Sequence, residues 1–135
     1  MSRIACLFLL MACQQADEKP NSEFNDSRVL DVCEIQADDA FQIEDISIAG
    51  DVLMVGVSYS GGCETHEWQI CWDGTTQDIS PPEVSLQLGH NSNGDSCEAI
   101  RTETLEFDIS PLQIPNPGVE SLTVYVGGQS ISYAY

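Results

Sequence analysis

At 135 residues the chain is long enough for one domain and a tether. It sets 22 Asp and Glu against four Lys and Arg, a formal net charge of −18, so phosphate backbones and anionic headgroups are repelled and nucleic acid is excluded as a partner. Such a balance is otherwise that of a well-solvated exported surface, which attracts divalent cations weakly without a dedicated site.

The chain opens with Arg3 and the apolar stretch Ile4 to Leu10. A bilayer span takes about 20 apolar residues, so this stretch reads as a secretory signal rather than a transmembrane helix. Leu10-Met11-Ala12-Cys13 resembles the lipobox of bacterial lipoproteins. The resemblance implies cleavage after Ala12, a diacylglyceryl group on the Cys13 thiol and a fatty acyl chain such as palmitate on the new amine. Several chains anchor a protein stably where one holds it only marginally. Gln14, directly after the acylated cysteine, implies sorting to the outer membrane of a Gram-negative envelope. Residues 13–28 carry Asp17, Glu18, Lys19, Pro20 and Asn21, with Phe24 the one bulky apolar group. They cannot bury enough apolar surface to fold, and form a polar tether behind the signal at 1–12.

A folded domain is expected over 29–135. From Ile43 the pattern becomes strict alternation. Ile46 and Ile48 are followed by a Gly50-Asp51 turn, then Leu53, Val55, Val57 and Tyr59 share a face. Trp68, Ile70 and Trp72 form a third run, Val84, Leu86 and Leu88 a fourth, and Leu105, Phe107 and Ile109 a fifth. Leu122, Val124 and Val126 make the sixth, and Gly127-Gly128 turns it into Ile131, Tyr133 and Tyr135. Period two with Gly, Pro, Asn and Asp between runs predicts seven antiparallel strands, at 43–49, 51–60, 66–73, 83–90, 101–109, 120–126 and 129–135. That is the pattern of an all-β, immunoglobulin-like antiparallel β-sandwich. The tryptophans read as core residues.

Of the six cysteines, Cys6 leaves with the signal and Cys13 is the anchor. Cys33, Cys63, Cys71 and Cys97 remain, an even number in an exported domain, for which two disulfides are the default. Alternating strand direction brings the connections after the second, fourth and sixth runs to one end. The two histidines lie there, His66 in phase with Trp68 and His90 in phase with Leu88, so both point toward the core. Two readings stand for this end. Cys63 and Cys97 form a bridge that staples two loops, which leaves Cys33–Cys71 as the simplest second pair. Alternatively Cys63, His66, His90 and Cys97 hold zinc or copper as a tetrahedral two-thiolate, two-imidazole set, or, with an open coordination position and Glu64 or Glu98 as base, serve a metallohydrolase. With the bridge formed, His66 and His90 could still hold a metal together with Glu98 or Asp95, since those ligands survive oxidation. Asn91 to Asp95 superficially has the oxygen spacing of a calcium loop, but the terminal bidentate Glu is misplaced and flanking helices are not evident, so it reads as a polar turn.

Tyr59-Ser60-Gly61-Gly62-Cys63-Glu64-Thr65-His66, His90-Asn91 with Asp95-Ser96-Cys97-Glu98-Ala99, and Glu103 to Leu112 resemble a group of uncharacterised bacterial lipoproteins related to the carboxy-terminal domain of NigD-like proteins. The resemblance spans about Val52 to Leu112 and brings no activity with it. The expectation is a non-enzymatic, monomeric structural or interaction module without a cofactor, held to the membrane by its lipid and meeting a protein partner of the envelope.

Overall fold

The computed structural model describes Val29 and residues 40–135. The signal, Cys13, the tether and Cys33 lie outside the described residues. Among the described residues seven strands form two sheets: β1 (Gln42–Ala49), β2 (Val52–Gly61) and β5 (Ala99–Asp108) in the order β1-β2-β5, and β3 (Glu67–Cys71), β4 (Glu83–Asn91), β6 (Ser121–Val126) and β7 (Gln129–Ala134) in the order β3-β4-β6-β7. The fold is the all-β sandwich that the alternation predicts, with strand ends shifted by a few residues. Among the described residues no helix is long and apolar enough to cross a membrane.

The core comes from the in-phase positions. Leu53, Val55 and Val57 of β2 face Val84 and Leu86 of β4, Leu122, Val124 and Val126 of β6, and Tyr133 of β7, all buried. Trp68 and Trp72 pack against this cluster as partly buried residues. Burial of each such aliphatic side chain contributes roughly 1.5–3 kcal/mol, and interleaving of the two inner faces is what joins the sheets. β5 differs: Phe107 and, just past the strand, Ile109 are buried, but Ala99 to Thr104, though paired with β2, are exposed to solvent.

One pairing departs from the antiparallel expectation. β4 and β6 run parallel, with Glu83 opposite Thr123 and Leu86 opposite Val126. The cause is topological. β4 hands the chain to β5 in the other sheet, β5 runs back, and a 3-10 turn at Ser110–Leu112 begins the return to β4's side. Consecutive strands still alternate in direction, and two strands of one sense become neighbours. Because β6 ends beside Leu86, the Gly127-Gly128 turn stops short of the end of β4. The start of β1 fills that place: Gln129 Nε2 donates to the Ile43 carbonyl oxygen at 3.3 Å, and Phe41 reaches His90.

The far end has its own polar lock. Tyr133 donates its hydroxyl to Asp51 Oδ1 at 2.8 Å, and Gln113 Nε2 donates to the same hydroxyl oxygen at 2.9 Å. Burial, with the Asp51 carboxylate, pushes the Tyr133 pKa up to about 12.

Candidate functional site: the Asp95 clamp

β2 and β4 end, and β3 and β5 begin, at one end of the sandwich. The connection after β4 folds back on itself first. Asn93 and Gly94 both adopt positive φ (55° and 75°), and the Asp95 amide donates to the Ser92 carbonyl oxygen at 3.1 Å. This is the geometry for which Asn-Gly is the preferred pair. It delivers the Asp95 side chain against the connection after β2.

There Asp95 acts as a clamp. Its Oδ2 accepts from the Gly62 amide (2.9 Å), the Cys63 amide (3.1 Å), the Glu64 amide (3.1 Å) and His66 Nε2 (2.9 Å). Its Oδ1 accepts from the Cys97 amide at 3.0 Å and more distantly from Cys63 at 3.3 Å. The side chain is shielded from solvent. The His66 hydrogen bond, reinforced by the amides of Glu64, Cys97 and Cys63, holds the carboxyl well below the usual carboxylate range despite its desolvation. Gly61 makes room for this contact: a Cβ there would lie 2.7 Å from both Asp95 Oδ2 and His66 Nε2.

The clamp continues inward. His66 Nδ1 is 2.7 Å from His90 Nε2, and the two rings are nearly coplanar, 22° apart. An ionised carboxylate only accepts, so His66 Nε2 carries a proton toward Asp95. With a neutral His66, Nδ1 is then the acceptor and His90 Nε2 the donor. His90 is buried and stacks on Trp68, with ring centroids 4.0 Å apart, while Phe41 meets it edge-on. Tyr59 covers His66 at 4.4 Å and donates its hydroxyl to Glu103. Burial and that carboxylate push the Tyr59 pKa up to about 12. The Trp68 indole N–H is buried and has no hydrogen-bond partner among the described residues.

Cys63 and Cys97 are joined by a disulfide that spans 34 residues of sequence, with Cα atoms 5.8 Å apart. Cys71 is also disulfide-bonded, at the other end of β3; Cys33, proposed as its partner, lies outside the described residues. The bridge takes both sulfurs of the four-ligand metal set. His90 is also displaced from that set, because it sits behind His66 rather than beside the sulfurs. The group whose ligand atoms do lie within 4.8 Å of one another is Cys63, Asp95 and Cys97. Glu64 and Glu98 are exposed at the loop surface.

Spacing and phase identify the cysteines and histidines of this end. They do not single out Asp95 as the group that binds both loops, nor Tyr59 and Phe41 as the walls of the imidazole pair. The Asn93-Gly94 turn signal immediately before Asp95 is the clue in the sequence that points to it.

No protein-family model and no curated protein matches the chain. Among solved structures the chain is similar to a NigD-like immunity protein from Bacteroides caccae, with a TM-score of 0.55 and 20% identity over 70% of this chain and 49% of that one. A putative toxin-related protein from Parabacteroides distasonis aligns at TM-score 0.49 and 16% identity, covering 80% of this chain and 58% of the other. A protein of unknown function from Bacteroides vulgatus aligns at 0.47 and 17%, over 70% and 46%. The chain thus spans about half the length of the proteins it resembles. At these identities the likeness is one of fold, and it is to the NigD-like fold that the loop motifs resemble.

Proposed function

We propose that this chain is a lipid-anchored lipoprotein of the bacterial outer membrane, and that its sandwich is a non-enzymatic interaction module. The partner is an envelope protein that meets the stapled loop end. The observation that carries this reading is the Asp95 clamp. Four main-chain amides, a histidine and a disulfide fix two loops in advance, so a partner pays little of the ordering cost that weakens binding to mobile loops. Outside the clamp the same loops present exposed Glu64, Thr65, Ser96 and Glu98, and next to them Ile100, 76% exposed. The buried histidines stand as packed, hydrogen-bonded members of the end wall. The anchor rests on the Leu10 to Cys13 motif and on the polar stretch behind it.

The test is site-specific photo-crosslinking in the native envelope. Probes at Glu64 and Glu98 are expected to give a discrete adduct, and a probe at exposed Asn116, at the far end, none. Equal labelling from both ends, or none from the loops, would overturn the interaction reading. Cys13→Ala is expected to move the protein from the membrane to the soluble fraction, and retention in the membrane would refute the anchor.

A further inference from the structure

The loop end combines two features that are redundant if its role is stapling alone: a disulfide, and a carboxylate beside both of its sulfurs. One ligand atom from each of Cys63, Asp95 and Cys97 lies within 4.8 Å of the others. Two thiolates on one zinc ion, each at about 2.3 Å, sit about 3.8 Å apart in tetrahedral geometry, and a carboxylate oxygen binds at about 2.0–2.2 Å. Once the bridge is reduced the two sulfurs therefore part by about 2 Å, and the carboxylate closes on them by about an ångström or less, for the three groups to share an ion.

The geometry points to a redox-gated zinc site at Cys63, Cys97 and Asp95, closed while the disulfide is intact and opened by its reduction. Asp95 Oδ1 is the less engaged oxygen, with one short and one long amide contact. Oδ2 keeps its hydrogen bonds to the Gly62 and Glu64 amides and to His66 Nε2. A ligating carboxylate is characteristically hydrogen-bonded in this way by groups behind it. His66 is thus a positioning residue that orients Asp95, and His90 in turn orients His66. The amides that converge here also offset the negative charge that two thiolates and a carboxylate bring together. Cys63 is exposed, so the fourth position opens to solvent and takes water.

The step balances with a dithiol reductant. Two electrons and two protons pass from the reductant, which leaves as its own disulfide, to the Cys63–Cys97 bond, which becomes two thiols. Zinc then binds both as thiolates and releases two protons to solvent.

The experiment uses the full chain, oxidised and dithiol-reduced, titrated with zinc against a chromophoric chelator and with cobalt(II) to read thiolate coordination by absorbance. The reduced chain is expected to take one zinc ion with a thiolate–cobalt band, and the oxidised chain none. Cys63→Ser with Cys97→Ser should abolish uptake, Cys33→Ser with Cys71→Ser should retain it, and Asp95→Asn should weaken it by roughly 10–100-fold. Uptake that survives loss of Cys63 and Cys97, or equal uptake by the oxidised chain, would overturn the assignment. A reduced chain that takes up no zinc would do so as well.

Discussion

Asp95 Oδ2 lies 2.9 Å from His66 Nε2, and the same carboxylate grips the amides on either side of the disulfide. One side chain therefore ties the loop after β4 to the loop after β2 and, through His66, to His90 in the interior. Asp95→Asn keeps the size but places an NH2 where N–H groups already converge. It is expected to lower the urea midpoint and to speed amide exchange at Gly62, Cys63 and Glu64 more than in the strands. Hydrogen exchange followed residue by residue checks this.

Acid should act through the same group. The folded carboxyl titrates below its unfolded value of about 3.9, so its contribution is full at neutral pH and is lost as the pH falls through the unfolded and then the folded value. Urea midpoints of the oxidised protein should decline from about pH 4 downward, and Asp95→Asn should flatten that decline.

At the alkaline side the sign reverses. Tyr59 and Tyr133 are pushed up to about 12 in the fold against about 10 when unfolded. Their contribution is complete below about pH 10 and is lost as the pH climbs toward 12. Tyrosinate absorbance should show Tyr59 and Tyr133 titrating late, joined by Tyr125, whose hydroxyl the Glu83 carboxylate also holds above its ordinary value, and Tyr59→Phe should remove one of the late titrations.

Gly61→Ala forces a methyl group to within 2.7 Å of the carboxylate and the imidazole. A cost of about 1–3 kcal/mol is expected, as for other overpacked sites. Gly128→Ala meets nothing within 4 Å and should change stability by no more than about 0.5 kcal/mol, as for surface substitutions generally. Equal losses in the two variants by chemical denaturation would contradict the packing at Gly61.

Removing the bridge by Cys63→Ser with Cys97→Ser should cost roughly 2–4 kcal/mol, chiefly by freeing the unfolded chain across its 34-residue span. The Asp95 hydrogen bonds are expected to hold the loops near their places, so near-ultraviolet dichroism from Trp68 should persist in the double variant. Its collapse would mean that the disulfide alone shapes the loops.

The fold was largely legible because burial here has a period of two: Leu53, Val55 and Val57, or Leu122, Val124 and Val126, fall on one face with no other reading available. The parallel β4–β6 pair was not, since alternation gives a strand its faces and says nothing about its neighbours. Placing His66 and His90 together required only strand phase and a common end. The role of Asp95 was hidden because its partners are main-chain amides, which every residue has and no composition reveals.

A grip on main-chain amides is indifferent to the side chains those residues carry. Glu64, Thr65, Ser96 and Glu98 point outward from backbone whose course Asp95 and the cystine dictate. Drift can rewrite the chemistry of this surface one position at a time, from acidic to basic or from polar to aromatic, while the loops keep their shape. Recognition and architecture are thereby heritable separately, and a lineage built on this end can change what it meets without relearning how to fold.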